Sequence, residues 1–154
     1  MENKKYKVEV VYKNLSFEQK QEIVQMWVSE KAVLYQEAIN RVEHVACIII
    51  HKQTNKIVAV TTTPLKEIDG KIYYTFGTYS SLYYRNKIEI ITPLIWGFKL
   101  AINALRNTKP LVSPLILCFV ENLKISHKLM TKKWGWSVSS ENNKVYYINL
   151  IETV

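Results

Sequence analysis

The sequence predicts an α/β fold in which a mixed, mostly antiparallel sheet of about six to seven strands carries helices on both faces. Alternating or continuously apolar runs of strand length recur along the chain, and two longer segments carry apolar residues at helical spacing. Turn residues such as Asp69-Gly70 separate these segments. The 154 residues are 48% hydrophobic and contain no repeat or Pro/Gly-rich linker, so one domain over residues 1–154 is expected.

The first half of the chain is predicted to contain a strand, a helical region and a three-stranded meander. Tyr6 to Val11 alternates and is rich in β-branched residues, which favours a strand. Ser16-Phe17-Glu18-Gln19 has the form of a capping box, so a helix is expected from about Phe17 to Tyr35. A second short helical piece is expected from Gln36 to Val42. The meander strands are Val45 to His51, Ile57 to Thr63 and Ile72 to Ser81.

The second half is predicted to alternate between helices and strands. Apolar spacing favours a helix from Ile90 to about Arg106, and Leu115 to Val120 is a continuous apolar run typical of a strand covered on both faces. A short helix is expected from Ile125 to Lys133, with Gly135 as its C-terminal stop. The closing hairpin joins Trp136 to Ser139 with Val145 to Leu150.

Charge and composition indicate which partners and which cellular location are expected. Twenty-one Lys and Arg against thirteen Asp and Glu give a net charge of +8, which attracts phosphates, nucleic acid or an anionic membrane surface. The lysines are spread along the chain, so an ordinary solvated basic surface is the alternative. The apolar runs fall short of the roughly 20 residues of a membrane helix. The charged N-terminus lacks a signal core, so a cytoplasmic protein with reduced Cys47 and Cys118 is expected.

The order of elements and three groups of residues resemble the GNAT superfamily of acyltransferases. The groups are Ser80 to Lys87 before the central helix, Asn122 after the next strand, and Trp134-Gly135-Trp136 after the last helix. The resemblance covers roughly Val45 to Leu150. It implies that the sheet splays between Ile72 to Ser81 and Leu115 to Val120, and that the thioester of acetyl-CoA or another acyl-CoA lies in the gap.

The resemblance also implies a set of cofactor-binding residues. They are Ser80, Ser81, Arg85, Asn86, Lys87 and Asn122. The family's pyrophosphate loop has small residues where this chain has Ile88 and Ile90, and Glu89 adds a negative charge. A basic turn solvated on the surface is therefore the alternative at Arg85, and Asn122 is equally suited to cap a helix.

Acyl transfer to an amine requires a base, a stabilised oxyanion and a proton donor for the departing thiolate. A backbone N–H near Tyr79 or Ser80 is the expected oxyanion donor. Glu121 is the carboxylate candidate for the base, with an ordinary surface glutamate as the alternative. His127 and Tyr79 are candidates for the acid, because Thr131 stands where family members commonly have a tyrosine.

The sequence thus predicts an N-acyltransferase that moves an acetyl or longer acyl group from acyl-CoA to an amine of a small molecule or protein. The alternative is a GNAT-like scaffold that has lost its cofactor and acts as a binding or regulatory protein, with nucleic acid as a possible partner of its basic surface. No metal site is expected, because His44 and His51 have no Cys, Asp or Glu at ligand spacing.

Overall fold

The computed structural model describes residues 2–85, 87–108, 115–119, 128–138 and 145–150. Within these residues the chain forms nine strands and three α-helices. The helices are α1 (Phe17–Ser29), α2 (Tyr35–Val42) and α3 (Ile91–Arg106). The strands are β1 (Tyr6–Val10), β2 (Val45–His51), β3 (Lys56–Thr62), β4 (Leu65–Ile68), β5 (Lys71–Thr75), β6 (Gly77–Ser80), β7 (Leu115–Phe119), β8 (Ser137–Val138) and β9 (Val145–Asn149). The predicted α/β class is confirmed.

The first sheet has the order β1-β2-β3-β6, with every neighbouring pair antiparallel. Its central strands are apolar on both faces because helices cover both. Cys47 and Ala59 belong to one buried cluster together with Phe98 of α3. Ile48 belongs to a second cluster together with Trp27 of α1. Both helical layers that the sequence predicts are therefore present.

The second sheet has the order β4-β5-β7-β9-β8. Among the described strands of this sheet, only the β5–β7 pair is parallel, and the other neighbours are antiparallel. Strand β4 was not expected from the sequence. It pairs with β5 through the Asp69-Gly70 turn, where both residues have positive φ, 50° and 75°. The closing hairpin of β8 and β9 agrees with the prediction.

The third predicted meander strand, Ile72 to Ser81, is divided in two. Its first part belongs to β5 in the second sheet, and its last part is β6 in the first sheet. Phe76 lies between them. The single sheet of six to seven strands expected from the sequence is therefore two sheets of four and five strands joined at this residue.

The predicted first helix is shorter than expected, and the second helical piece predicted from Gln36 to Val42 is present as α2. Helix α1 ends at Ser29 because the chain turns back, with the N–H of Ala32 donating to the carbonyl of Trp27 at 2.8 Å and Lys31 at φ 56°. The capping box is confirmed, since Ser16 Oγ accepts from the N–H of Gln19 at 3.1 Å and Gln19 Oε1 accepts from Ser16 at 3.0 Å.

Helix α3 begins after one 3₁₀ turn, Ile88–Ile90, and packs on β1, β2 and β3. Together these residues form the one helical stretch in the described chain, Ile88–Arg106, long and apolar enough by composition to span a membrane. Its inner face belongs to the core of the domain, with Phe98 and Leu105 buried. The expected helix Ile125 to Lys133 is described only at its end, where Leu129–Lys133 form a π-helical turn before Gly135 at φ 76°.

Candidate functional site

The two sheets separate where the chain passes from β5 to β6. Strand β5 pairs with β7 at Tyr74 and Thr75, and the N–H of Phe76 donates to the carbonyl of Leu117 at 2.8 Å. Beyond that bond β6 turns to β3, and no pairing joins β6 to β7 within the described residues. The divergence that the resemblance implies is therefore present as a gap between β6 and β7.

Backbone groups of β6 face this gap. The N–H of Ser81 donates to Val58 of β3 at 2.8 Å, and peptide groups point alternately to the two edges of a strand. Thr78 and Ser80 therefore direct their N–H and C=O groups away from β3, in the same direction as the N–H of Phe76. They form a short strand edge that is unpaired within the described part of the chain, and such an edge can accept an added extended chain.

Arg85 lies at the end of this edge. Its Nη2 donates to the carbonyl oxygen of Ser80 at 3.3 Å, and its guanidinium carbon lies 5.0 Å from the centroid of the Tyr79 ring. The backbone N–H of Arg85 is bonded to the carbonyl of Ser81 at 3.0 Å, which holds the turn against the strand. A fixed cation thus stands beside the open edge of β6.

The start of α3 explains how the chain accommodates isoleucine at two positions where a phosphate loop prefers small residues. Ile88 is 84% exposed and points outward, whereas Ile90 is 1% exposed and belongs to the core. The N–H of Ile90 donates to Lys87 at 3.1 Å, and that of Ile91 donates to Ile88. These two amides are used inside the 3₁₀ turn, so they are not available to hold an anion at the helix start.

The negative charge of Glu89 is compensated locally. Its carboxylate accepts hydrogen bonds from Lys5 Nζ at 2.5 Å and from the Tyr6 hydroxyl at 2.8 Å. The hydrogen bonds from Lys5 and Tyr6 lower the pKa of Glu89 below its ordinary value. The carboxylate is therefore held toward β1, and its charge is balanced by Lys5.

Glu30, which follows α1, is a functional candidate that the sequence did not reveal. Its Oε1 accepts from the Tyr79 hydroxyl at 2.7 Å and from the N–H of Leu82 at 2.8 Å, and its Oε2 accepts from Ser81 Oγ at 2.7 Å. Burial raises the pKa of Glu30, but these hydrogen bonds and the charge of Arg85 outweigh it, so the net pKa is lowered. Glu30 is an anion that fastens α1 to the end of β6.

This contact also determines the state of Tyr79. Burial, together with the hydrogen bond to Glu30, raises the pKa of Tyr79 to about 12. The phenol stays protonated at neutral pH, and its proton is directed at Glu30. In this arrangement Tyr79 positions the strand end, and its predicted role as a proton donor to a thiolate stays a prediction.

A groove of about 780 Å³ opens on the α2 side of the same strand break. Thr75, Phe76, Gly77 and Thr78 line it from β5 and β6, and Phe119 lines it from β7. Three basic side chains reach it, namely Arg41, His44 and Lys66, and one acidic side chain, Glu37, is ion-paired with Arg41. A polar molecule can therefore approach the gap from this side.

Aromatic side chains close the opposite, α3 side of the strand break. The ring of Phe76 lies 5.1 Å from Phe98 and 5.7 Å from Trp136, and Trp134 lies 5.4 Å from Phe98. The indole nitrogens of Trp134 and Trp136 are buried and have no hydrogen-bond partner among the described residues. The two tryptophans that carried part of the resemblance are therefore core residues next to the gap.

The structure brings together Tyr79, Ser80, Ser81 and Arg85 of the predicted site. Lys87 is directed elsewhere, because its Nζ lies 3.5 Å from the centroid of Tyr83 in a separate cavity. The other predicted site residues, Asn86, Glu121, Asn122 and His127, lie outside the described residues, and their roles stay predictions.

Two further expectations concern metals and thiols. In the part of the chain that the structure describes, no group of three or more His, Cys, Asp or Glu residues is placed to hold a metal ion. Cys47 and Cys118 are free thiols, as expected from their positions in apolar strands. Burial raises the pKa of Cys47 to about 11 and that of Cys118 to about 12.

Comparison with known proteins identifies the fold. No protein-family model and no curated protein matches the sequence. Among solved structures, a GNAT-family acetyltransferase from Bacillus anthracis aligns over 98% of both chains at 12% identity, with a TM-score of 0.58. A ribosomal-protein-S5-alanine acetyltransferase from Vibrio fischeri aligns over 99% of this chain and 97% of its own at 9% identity, with a TM-score of 0.58.

AtaTR bound with acetyl-CoA aligns over 95% of this chain and 94% of its own at 9% identity, with a TM-score of 0.52. All three likenesses extend over nearly the whole chain despite low identity. The protein therefore has the fold of the GNAT acetyltransferases, and the resemblance noted in the sequence is confirmed at that level.

Proposed function

We propose that this protein is an N-acyltransferase that transfers an acetyl or longer acyl group from acyl-CoA to an amine. The observation that carries the proposal is the division of the strand at Phe76, which leaves the N–H groups of Thr78 and Ser80 without a strand partner beside the gap within the described residues. An extended arm that contains amide groups, such as pantetheine, is chemically matched to a free strand edge. The structural neighbour bound with acetyl-CoA supports the choice of donor.

The residues around the gap fit such a cofactor in two ways. The N–H groups of Thr78 and Ser80 are donors for the carbonyl oxygens of the arm or of the thioester, and Arg85 supplies a cation at the strand end for an anionic group. The N–H groups of Ile90 and Ile91 are already bonded inside the 3₁₀ turn, so side chains must bind the phosphates to a greater extent than is usual at a helix start. Bound acyl-CoA supplies the thioester that the amine attacks.

The acceptor amine is expected to enter through the groove on the α2 side. That groove reaches the strand break at Phe76 and Gly77, and it is wide enough for a small molecule or the end of a polypeptide. The neighbour named as a ribosomal-protein-S5-alanine acetyltransferase acts on a protein, which supports a protein amine as one acceptor class.

The test uses isothermal titration calorimetry with acetyl-CoA and longer acyl-CoAs. Thr78→Pro removes an N–H that faces the gap and leaves the β3 ladder bonds in place, so binding is expected to weaken roughly two- to tenfold, the effect of one hydrogen bond. Thr78→Val is the matched control, because it keeps the backbone donor, and its affinity should equal that of the wild type. Equal affinities for both variants would show that this edge does not hold the cofactor.

The competing function is that of a binding or regulatory protein whose GNAT-like scaffold has lost its cofactor. The internally bonded 3₁₀ turn at the start of α3 is the observation that favours it, because it reduces the number of amides available to phosphate. Failure of every acyl-CoA to bind the folded wild-type protein would establish this alternative and remove the transferase.

A further inference from the structure

A second cavity, of about 420 Å³, lies at the β1 side of the turn that precedes α3. Its walls come from the chain before β1, from the β2–β3 turn and from the segment before α3. The lining residues on which the argument depends are Lys4, Lys5, His51, Tyr83, Lys87 and Glu89. The cavity shares no lining residue with the groove on the α2 side. It is therefore a separate surface from the one assigned to the acceptor.

The charge of this cavity is positive. Lys4, Lys5 and Lys87 face one carboxylate, Glu89, and that carboxylate is already bonded to Lys5 at 2.5 Å. Neither Lys4 nor Lys87 forms an ion pair within the part of the chain described here. Two ammonium groups thus remain without a carboxylate partner at the mouth of one cavity, which is the electrostatic condition for binding a phosphate.

An exposed aromatic ring stands beside these ammonium groups. Tyr83 is 69% exposed, and its ring is supported from one side by Tyr84, whose centroid lies 4.9 Å away in an edge-on arrangement. Tyr84 in turn packs against His51, with ring centroids 5.9 Å apart. The Nζ of Lys87 lies 3.5 Å from the Tyr83 centroid. The Lys87 ammonium therefore covers one face of Tyr83, and a flat base can stack on the part of this ring that is exposed to solvent while the ammonium binds phosphate.

We propose that this cavity is a nucleotide-binding site. The phosphate is held by Lys4 and Lys87, and the base stacks on Tyr83. The cavity has the volume of a small-ligand site, so it accepts one nucleotide unit, which is either a free nucleotide or one unit of a single strand. This site does not depend on the transferase assignment, because its residues surround neither the gap nor the acceptor groove.

The experiment measures fluorescence anisotropy of a labelled eight-residue oligothymidylate, with unlabelled AMP and coenzyme A as competitors. Tyr83→Leu should weaken binding about five- to 150-fold, the range for loss of stacking on one base, whereas Tyr83→Phe should bind like the wild type. Lys4→Gln should reduce the slope of log affinity against log salt concentration by about one, the effect of losing one phosphate contact. Lys71→Gln, the same charge change on exposed β5, is the matched control and should have little effect.

The competitors distinguish the sources of the nucleotide. AMP that binds as tightly as the strand identifies a free nucleotide as the ligand, and much tighter binding of the strand identifies nucleic acid. The proposal is overturned if neither binds at low salt, or if Tyr83→Leu leaves affinity unchanged in a folded protein. It is also overturned if Lys71→Gln weakens binding as much as Lys4→Gln, or if coenzyme A alone binds in a Tyr83-dependent way.

Discussion

Replacement of Glu30 by alanine is expected to lower the free energy of unfolding by about 1.5–4.5 kcal/mol. The variant removes a carboxylate that accepts three hydrogen bonds, from Tyr79, Ser81 and Leu82. Each such bond contributes about 0.5–1.5 kcal/mol net, and the sum gives the expected range. Because all three donors lie at the end of β6, their loss loosens the strand that borders the gap.

Urea denaturation at neutral pH measures this effect, and two further variants make it specific. Glu30→Gln keeps the shape and one acceptor oxygen, so its cost should be about 1 kcal/mol. Glu43→Gln removes a carboxylate whose side chain is 58% exposed and which pairs with Lys20 at the surface, so it should cost less than about 1 kcal/mol. If Glu30→Ala were no more costly than Glu43→Gln, the carboxylate would not hold α1 to β6.

The pH dependence of the stability difference between the wild type and Glu30→Gln tests whether the negative charge of Glu30 stabilises the fold. The pKa of Glu30 is lowered in the folded state, so the carboxylate stabilises the fold fully above the ordinary value of 4.5, and this contribution is lost as the pH falls through the lower folded pKa. The stability difference between wild type and Glu30→Gln should therefore shrink as the pH is lowered from neutral to about 3. A difference that stays constant over this range would mean that the charge contributes nothing.

Two other outcomes follow from the geometry around the strand break and from the buried thiol of Cys47. Gly77→Ala should destabilise the fold by about 1–3 kcal/mol in thermal unfolding, because the added Cβ would lie 2.9 Å from Thr62 Oγ1. The same substitution in a Thr62→Ala background should cost much less. An equal cost in that background would show that the strain does not come from Thr62. Cys47, which is buried and whose pKa burial raises, should react with Ellman's reagent in the folded protein much more slowly than in urea, and rapid reaction of Cys47 in the folded protein would contradict its burial.

Local sequence was sufficient to predict most elements and both helical layers. The Ser16 capping box, the apolar Val45 to His51 and the spacing in Ile91–Arg106 each depend on residues close together in the chain, and each formed the expected element. Local patterns determine which residues can form a strand, but they do not identify the strand with which it pairs. The segment Ile72 to Ser81 has strand character throughout, so its division between two sheets was not visible in the sequence.

The predicted site residues that the structure brings together are neighbours in sequence. Tyr79 to Arg85 were identified from one contiguous segment, whereas Glu30 reaches Tyr79 across 49 positions. A glutamate within a predicted helix resembles many exposed glutamates, and only the tertiary contact distinguishes it. The position of the Lys87 ammonium was not visible in the sequence for a similar reason, since it depends on the contact with Tyr83, and its predicted cofactor-binding role stays a prediction.

The edge of β6 that has no strand partner among the described residues is the feature for which structural stability offers no explanation. Unpaired backbone donors and acceptors destabilise a fold when they are shielded from water, and an open edge also invites association with other strands. The chain nevertheless turns β6 away from β7 at Phe76, immediately before a glycine that allows close approach to Thr62. It then fixes the diverging strand with Glu30 on one side and Arg85 on its carbonyl edge. An edge that is open within the described residues and rigidly held supports the proposal that an extended ligand pairs with it.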